Sequence, residues 1–142
     1  MKIVFTDLDG TLLDARTYSF DAALPALDLL RSKKIPLVIC TSKTRAEVEL
    51  WRTRLGIEPP FIVENGGAVF IPKGYFPFRI PNACQRDGYI VLECGAPYRD
   101  LVAELKAAAR ESGCDVLAFS DMSVAELAVR SLLPVHQAEL AK

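Results

Sequence analysis

The stretch Lys2-Ile3-Val4-Phe5-Thr6-Asp7-Leu8-Asp9-Gly10-Thr11-Leu12-Leu13 constrains the fold more than any other part of the chain. Its first half is a short run of β-branched and aromatic residues closed by acids and a glycine, and it reads as a buried strand ending at Asp7. Two carboxylates then stand at the strand's carboxyl end. In an open parallel α/β sheet ligands bind outside that edge, and strand alternation puts Asp7 and Asp9 on the same side, free to share one metal ion. Gly10 lets the backbone turn sharply, and Thr11 offers a hydroxyl. The competing reading is a plain strand followed by an acidic turn.

Asp14 to Phe20 is a polar loop, and Asp21 is placed to cap a helix running to about Lys34, with Pro25 tolerated in its first turn. Leu24, Leu27 and Leu30 recur at helical spacing and would face the sheet. Ile35 to Cys40 is a second buried strand, with Cys40 a small core residue. Strand, helix, strand in this order is a parallel crossover that brings both carboxyl ends to one edge.

That second strand runs into Thr41-Ser42-Lys43-Thr44-Arg45. Thr44 with Glu47 is a capping box, and Val48, Trp51 and Leu55 carry the apolar face of a helix that stops at Gly56. Hydroxyls and backbone N–H groups at a helix start make an anion site beside the two aspartates. The competing reading makes Thr44 a cap alone and Lys43 and Arg45 a solvated first turn.

Phe61 to Glu64 reads as a third strand, Asn65-Gly66-Gly67 as a tight turn, and Ala68 to Ile71 as the returning arm of a hairpin. Residues 72–87 are rich in Pro, Gly and aromatics without periodicity, an irregular connector. The expected division is a first α/β unit over residues 1–80, a connector over 81–87 and a second unit over 88–142. The second unit would hold a strand at Tyr89 to Cys94, a helix from Pro97 to Glu111 and a strand at Asp115 to Phe119. A short helix capped by Ser123 and Glu126 follows, and a last helical segment starts at Pro134.

A hydrophobic content of 51% over 142 residues supports a real core. A net charge of −1 gives no global field for nucleic acid or an acidic membrane, and the 17 Lys and Arg residues are scattered, so neither partner is expected. No stretch approaches transmembrane length. The four cysteines show no Cys-x-x-Cys pair, and the chain opens on a charged residue and a core strand rather than an apolar signal region. A cytoplasmic protein with reduced thiols is the expectation, with the lone His136 a surface residue.

The first motif resembles that of the haloacid dehalogenase superfamily, most of whose members are Mg²⁺-dependent phosphatases. The resemblance implies that Asp7 is the nucleophile, forming an aspartyl-phosphate, and that Asp9 is the general acid and base. Mg²⁺ would sit on the Asp7 carboxylate and the backbone carbonyl of Asp9. In the superfamily a Thr or Ser ending the second strand holds a phosphoryl oxygen; Thr41 matches by position, with Ser42 its immediate rival. Thr11, Lys43 and Asn65 complete the candidate phosphate and substrate contacts. The implied fold is α/β, the Rossmann-like parallel sheet of a haloacid dehalogenase core, incomplete, followed by the start of an α+β cap domain.

Thr41-Ser42-Lys43-Thr44-Arg45, Glu64-Asn65-Gly66-Gly67 and Phe119-Ser120-Asp121-Met122-Ser123-Val124 together resemble the mannosyl-3-phosphoglycerate phosphatase family, in which Gly usually stands at the place of Ser120. The implied substrate is mannosyl-3-phosphoglycerate, a phosphorylated small molecule, with a general sugar phosphate of the same branch as the alternative. The superfamily's lysine motif and its second acidic motif are not identifiable. The expectation is therefore the amino-terminal part of a longer phosphatase, truncated inside its cap, or a non-catalytic binding module descended from one. A complete miniature enzyme would need Asp121 on the metal and Lys106 or Lys142 as the lysine. An unfinished sheet edge would favour self-association.

Overall fold

The computed structural model describes residues 2–142, and the chain divides into two compact units, one ending at Cys94 and the other starting at Gly95. In the first unit β1 (Val4–Thr6), β2 (Leu37–Cys40) and β3 (Phe61–Val63) run parallel, linked by helices α1 (Leu24–Ser32) and α2 (Arg45–Leu55). Phe5 pairs with Val38 and Ile39 with Phe61. The sheet then turns antiparallel through β4 (Ala68–Pro72), β6 (Tyr89–Glu93) and β5 (Cys84–Arg86), in the order β1-β2-β3-β4-β6-β5.

The core lies where α2 meets the sheet. Val48, Trp51 and Leu55 recur on one face of α2 and are buried with Leu27, Ile39, Phe61, Val63, Phe70 and Val91. Burial of a Leu- or Phe-sized side chain is worth roughly 1.5–3 kcal/mol, so this stripe fixes the helix on the sheet. Thr44 caps α2 with Glu47 in the expected capping box, and Gly56 ends the helix in the left-handed conformation (φ 62°). The hairpin of β3 and β4 also forms, pairing Ile62 with Val69 around a 3-10 turn at Glu64–Gly66.

Four local expectations are corrected. β1 is not a buried strand: it lies at the edge of the sheet with β2 on one side only, leaving Ile3 and Phe5 48% and 57% exposed. Cys40, at the end of β2, is exposed rather than part of the core, as are the other three cysteines, and all four are free. Asp21 makes no side-chain cap, because a 3-10 turn over Asp21–Ala23 precedes α1 and its N-cap position falls on Phe20; of the three leucines, Leu27 is buried, Leu30 half-buried and Leu24 exposed. Residues 114–118 are not a strand: they lack a ladder partner, and Val116 and Leu117 stay exposed.

The expected connector at 81–87 contains β5, and β6, placed by sequence in the second unit, is paired along its length with β4. The structural division thus follows β6. The second unit contains α3 (Tyr98–Ser112), α4 (Val124–Ser131) and α5 (Val135–Ala141), with Met122, Leu127, Ala128 and Ala138 forming a small core between α4 and α5. Ser123 and Glu126 cap α4 as the sequence pattern requires. No helix among the described residues is long and apolar enough to cross a membrane.

Candidate active site

β1 stops at Thr6, so both aspartates lie in the turn beyond it. Leu8 between them is fully buried, and its carbonyl accepts the N–H groups of Leu13 (2.8 Å) and Thr11 (3.3 Å). That anchor leaves Asp7 and Asp9 exposed on either side of it. Gly10 (φ 66°) supplies the left-handed residue that closes the turn. Asp7 Oδ1 accepts the Leu8 N–H at 2.7 Å, which fixes the carboxylate against its own backbone. Thr11 is exposed in the same turn.

The segment after β2 faces this turn. Lys43, only 9% exposed, places its Nζ 3.1 Å from Asp9 Oδ2 and 3.1 Å from Glu47 Oε1. Burial alone would pull the ammonium down, but the Glu47 and Asp9 carboxylates outweigh it and hold the pKa above its ordinary value. The Tyr18 ring lies 5.7 Å from the same nitrogen and stacks at 6.2 Å on Trp51. Tyr18 is delivered by the 14–20 loop, where Asp14 Oδ1 accepts the N–H groups of Arg16 (2.9 Å) and Thr17 (2.8 Å).

Thr41 is buried, and its Oγ1 accepts the Lys43 N–H at 3.5 Å; Ser42 is exposed. Asn65 donates its N–H to the Thr41 carbonyl and Glu64 donates to the Lys43 carbonyl, both at 3.1 Å. The turn after β3 therefore fixes the backbone that presents Thr41 and Lys43. Asp9, Lys43, Thr41 and Asn65 are joined by these contacts, with Asp7 and Thr11 in the turn that carries Asp9.

Sequence reasoning missed two partners of this site. Glu47 serves both as a cap and as the counter-ion of Lys43, a role that the i,i+4 spacing of Lys and Glu does signal. Tyr18 carries no such signal, since its place depends on the loop. The miniature-enzyme alternative finds Lys106 and Asp121 paired with each other at 2.7 Å within the second unit, while Lys142 donates to the Met122 carbonyl. A cavity of about 890 Å³ lined by Arg52, Lys73, Tyr75 and Tyr89, among others, contains none of the site residues.

Carboxylate and carbonyl oxygens are the donors a hard cation selects, and Mg²⁺ retains several waters, so Asp7 and the Asp9 carbonyl fit it in kind. Among the described residues no cluster of three or more His, Cys, Asp or Glu side chains forms a protein-only cage.

Residues 4–77, which carry the three parallel strands and the paired aspartates beyond the first of them, match the family described as haloacid dehalogenase-like hydrolase, to which the chain belongs. Its relatives narrow the likeness. The chain is 48% identical over 143 residues to a glucosyl-3-phosphoglycerate/mannosyl-3-phosphoglycerate phosphatase of Persephonella marina, covering 99% of this chain and 51% of that protein. A protein of the same description from Methanococcoides burtonii is 45% identical over 140 residues, covering 99% and 52%. The chain thus spans about half the length of these relatives. Among solved structures, a Bacteroides thetaiotaomicron protein described among phosphatases of the haloalkanoate (HAD) enzyme superfamily superposes with a TM-score of 0.59 at 19% identity, over 95% of this chain and 48% of that one. That likeness concerns the fold.

Proposed function

We propose that this chain carries the phosphoryl-transfer residues of a phosphomonoester hydrolase acting on a glycosyl-3-phosphoglycerate. The observation that carries the reading is the ion pair of Lys43 with Asp9, 3.1 Å, beside Asp7 at the carboxyl edge of β1 and β2. A cation and two carboxylates in one place suit a phosphate ester: the cation meets its charge, and one carboxylate attacks while the other moves protons.

In this reading an Asp7 oxygen forms a bond to phosphorus as the bond from phosphorus to the leaving oxygen breaks, and Asp9 gives its proton to that oxygen. Asp9 then takes a proton from water, which attacks the same phosphorus and restores the Asp7 carboxylate. Thr41 and Lys43 hold the non-bridging oxygens, and Thr11 and Asn65 border the site. Asp7 and the Asp9 carbonyl would hold Mg²⁺, which would supply charge neutralisation for the phosphoryl group. The substrate is drawn from the two relatives described as glucosyl-3-phosphoglycerate/mannosyl-3-phosphoglycerate phosphatases.

The test is phosphate release with Mg²⁺ from mannosyl-3-phosphoglycerate, glucosyl-3-phosphoglycerate and a simple hexose phosphate, with Asp7→Asn alongside. Release from the glycosyl phosphoglycerates that falls by orders of magnitude in Asp7→Asn is the expected result. Equal release by the variant would contradict the assignment of Asp7, and preference for the hexose phosphate would contradict the substrate.

A further inference from the structure

Glu47 divides its carboxylate between two tasks. Its Oε2 accepts the backbone N–H of Thr44 at 3.0 Å and the Thr44 hydroxyl at 3.2 Å, closing the capping box of α2. Its Oε1 lies 3.1 Å from Lys43 Nζ. Both side chains of this ion pair are 9% exposed, whereas the second partner of the ammonium, Asp9, is 43% exposed. Lys43 is therefore held firmly on its buried side and loosely on its open side.

This asymmetry bears on the chemistry. The ammonium that the phosphatase reading assigns to the phosphoryl oxygens lies 3.1 Å from Asp9, engaged by that carboxylate. To meet the substrate the ammonium turns from Asp9 to an arriving phosphoryl oxygen, exchanging one anion for another. A lysine released from its only anchor would swing on four rotatable bonds into solvent; one held at its far side pivots within the site.

We propose that Glu47 is a positioning residue: it anchors the Lys43 ammonium so that Lys43 passes from Asp9 to the substrate phosphoryl group without leaving the site. The inference rests on the phosphatase reading and names a residue that reading does not use. Glu47 itself touches no substrate. A cap needs only an acceptor at Oε2, which a glutamine carbonyl supplies, but a glutamine amide turned towards Lys43 offers no acceptor for an ammonium. Glu47→Gln thus separates the two tasks.

The experiment measures binding of inorganic phosphate in the presence of Mg²⁺ to the 142-residue chain, by calorimetry, for the wild type, Glu47→Gln, Lys43→Met and the double variant, with a thermal melt of each. The expected result is a melting temperature in Glu47→Gln close to the wild type with phosphate affinity lowered about tenfold, the usual scale for losing an aligned charge-assisted contact. In the Lys43→Met background the same change should have no further effect, because Glu47 acts only through Lys43. Wild-type affinity retained in Glu47→Gln, or an equal loss with and without Lys43, would overturn the proposal while leaving the phosphatase reading intact. Absence of phosphate binding by the wild type would overturn that reading and the proposal with it.

Discussion

Asn65 donates its backbone N–H to the carbonyl of Thr41 over 3.1 Å, and it does so from the left-handed region, at φ 54° and ψ 34°. The turn that closes the β3–β4 hairpin thereby sets the backbone that presents Thr41 and Lys43. Asn tolerates this conformation and a β-branched residue does not. Asn65→Val should cost about 1–2 kcal/mol in urea unfolding, against little change for Asn65→Gly. Phosphate affinity should fall further in the Val variant than in the Gly variant, which loses the side chain but keeps the backbone conformation.

Trp51 is the sole tryptophan of the chain, and Tyr18 stacks on it while facing Lys43. Its fluorescence therefore reports on the wall of the site. Tyr18→Ala should alter that emission, lower stability by about 1 kcal/mol and remove any change in emission on adding phosphate.

The loop that carries Tyr18 depends on Asp14, whose pKa is lowered, first by the backbone N–H of Thr17 and then by that of Arg16, from a usual value of 3.8. A carboxylate depressed in the folded state stabilises it above the unfolded pKa, and this contribution is lost as pH falls through the folded pKa. Acid titration below about pH 4 should loosen the loop and shift Trp51 emission ahead of global unfolding. Asp14→Ala should show the shifted emission already at neutral pH.

Arg52 stands inside the first unit, 8% exposed, with its guanidinium 4.5 Å over the Phe61 ring. It donates to the carbonyls of Glu58 (2.6 Å) and Pro59 (2.9 Å) and to the Tyr89 hydroxyl (3.2 Å). Arg52→Met would keep much of the packing and strand those acceptors, at a cost of about 2–4 kcal/mol in urea unfolding. Arg52→Lys should recover little, since an ammonium lacks the planar fork that reaches all three.

What the sequence disclosed and what it hid follow from how local each signal is. The Thr44–Glu47 box, the Gly56 stop and the Asn65-Gly66 hairpin are written in neighbouring residues, and the structure contains all three. The aspartates could be singled out because their spacing with Gly10 is itself a local pattern. Burial of β1 was not readable in this way: an apolar run states that a strand is apolar, not that both of its edges are paired, and Phe5 lies at an edge. Val116 and Leu117 mislead for the same reason, since a strand needs a partner that no run of β-formers supplies. Tyr18 reaches Lys43 only through the fold of an irregular loop, which periodicity does not describe.

The measurement that tests the central claim most directly is mass spectrometry of the chain quenched in acid during turnover of mannosyl-3-phosphoglycerate with Mg²⁺. A phosphoryl group on the peptide containing Asp7, absent in Asp7→Asn, is the predicted result. Phosphate released while that peptide stays unmodified, a phosphoryl group on another residue, or no release at all would contradict the account.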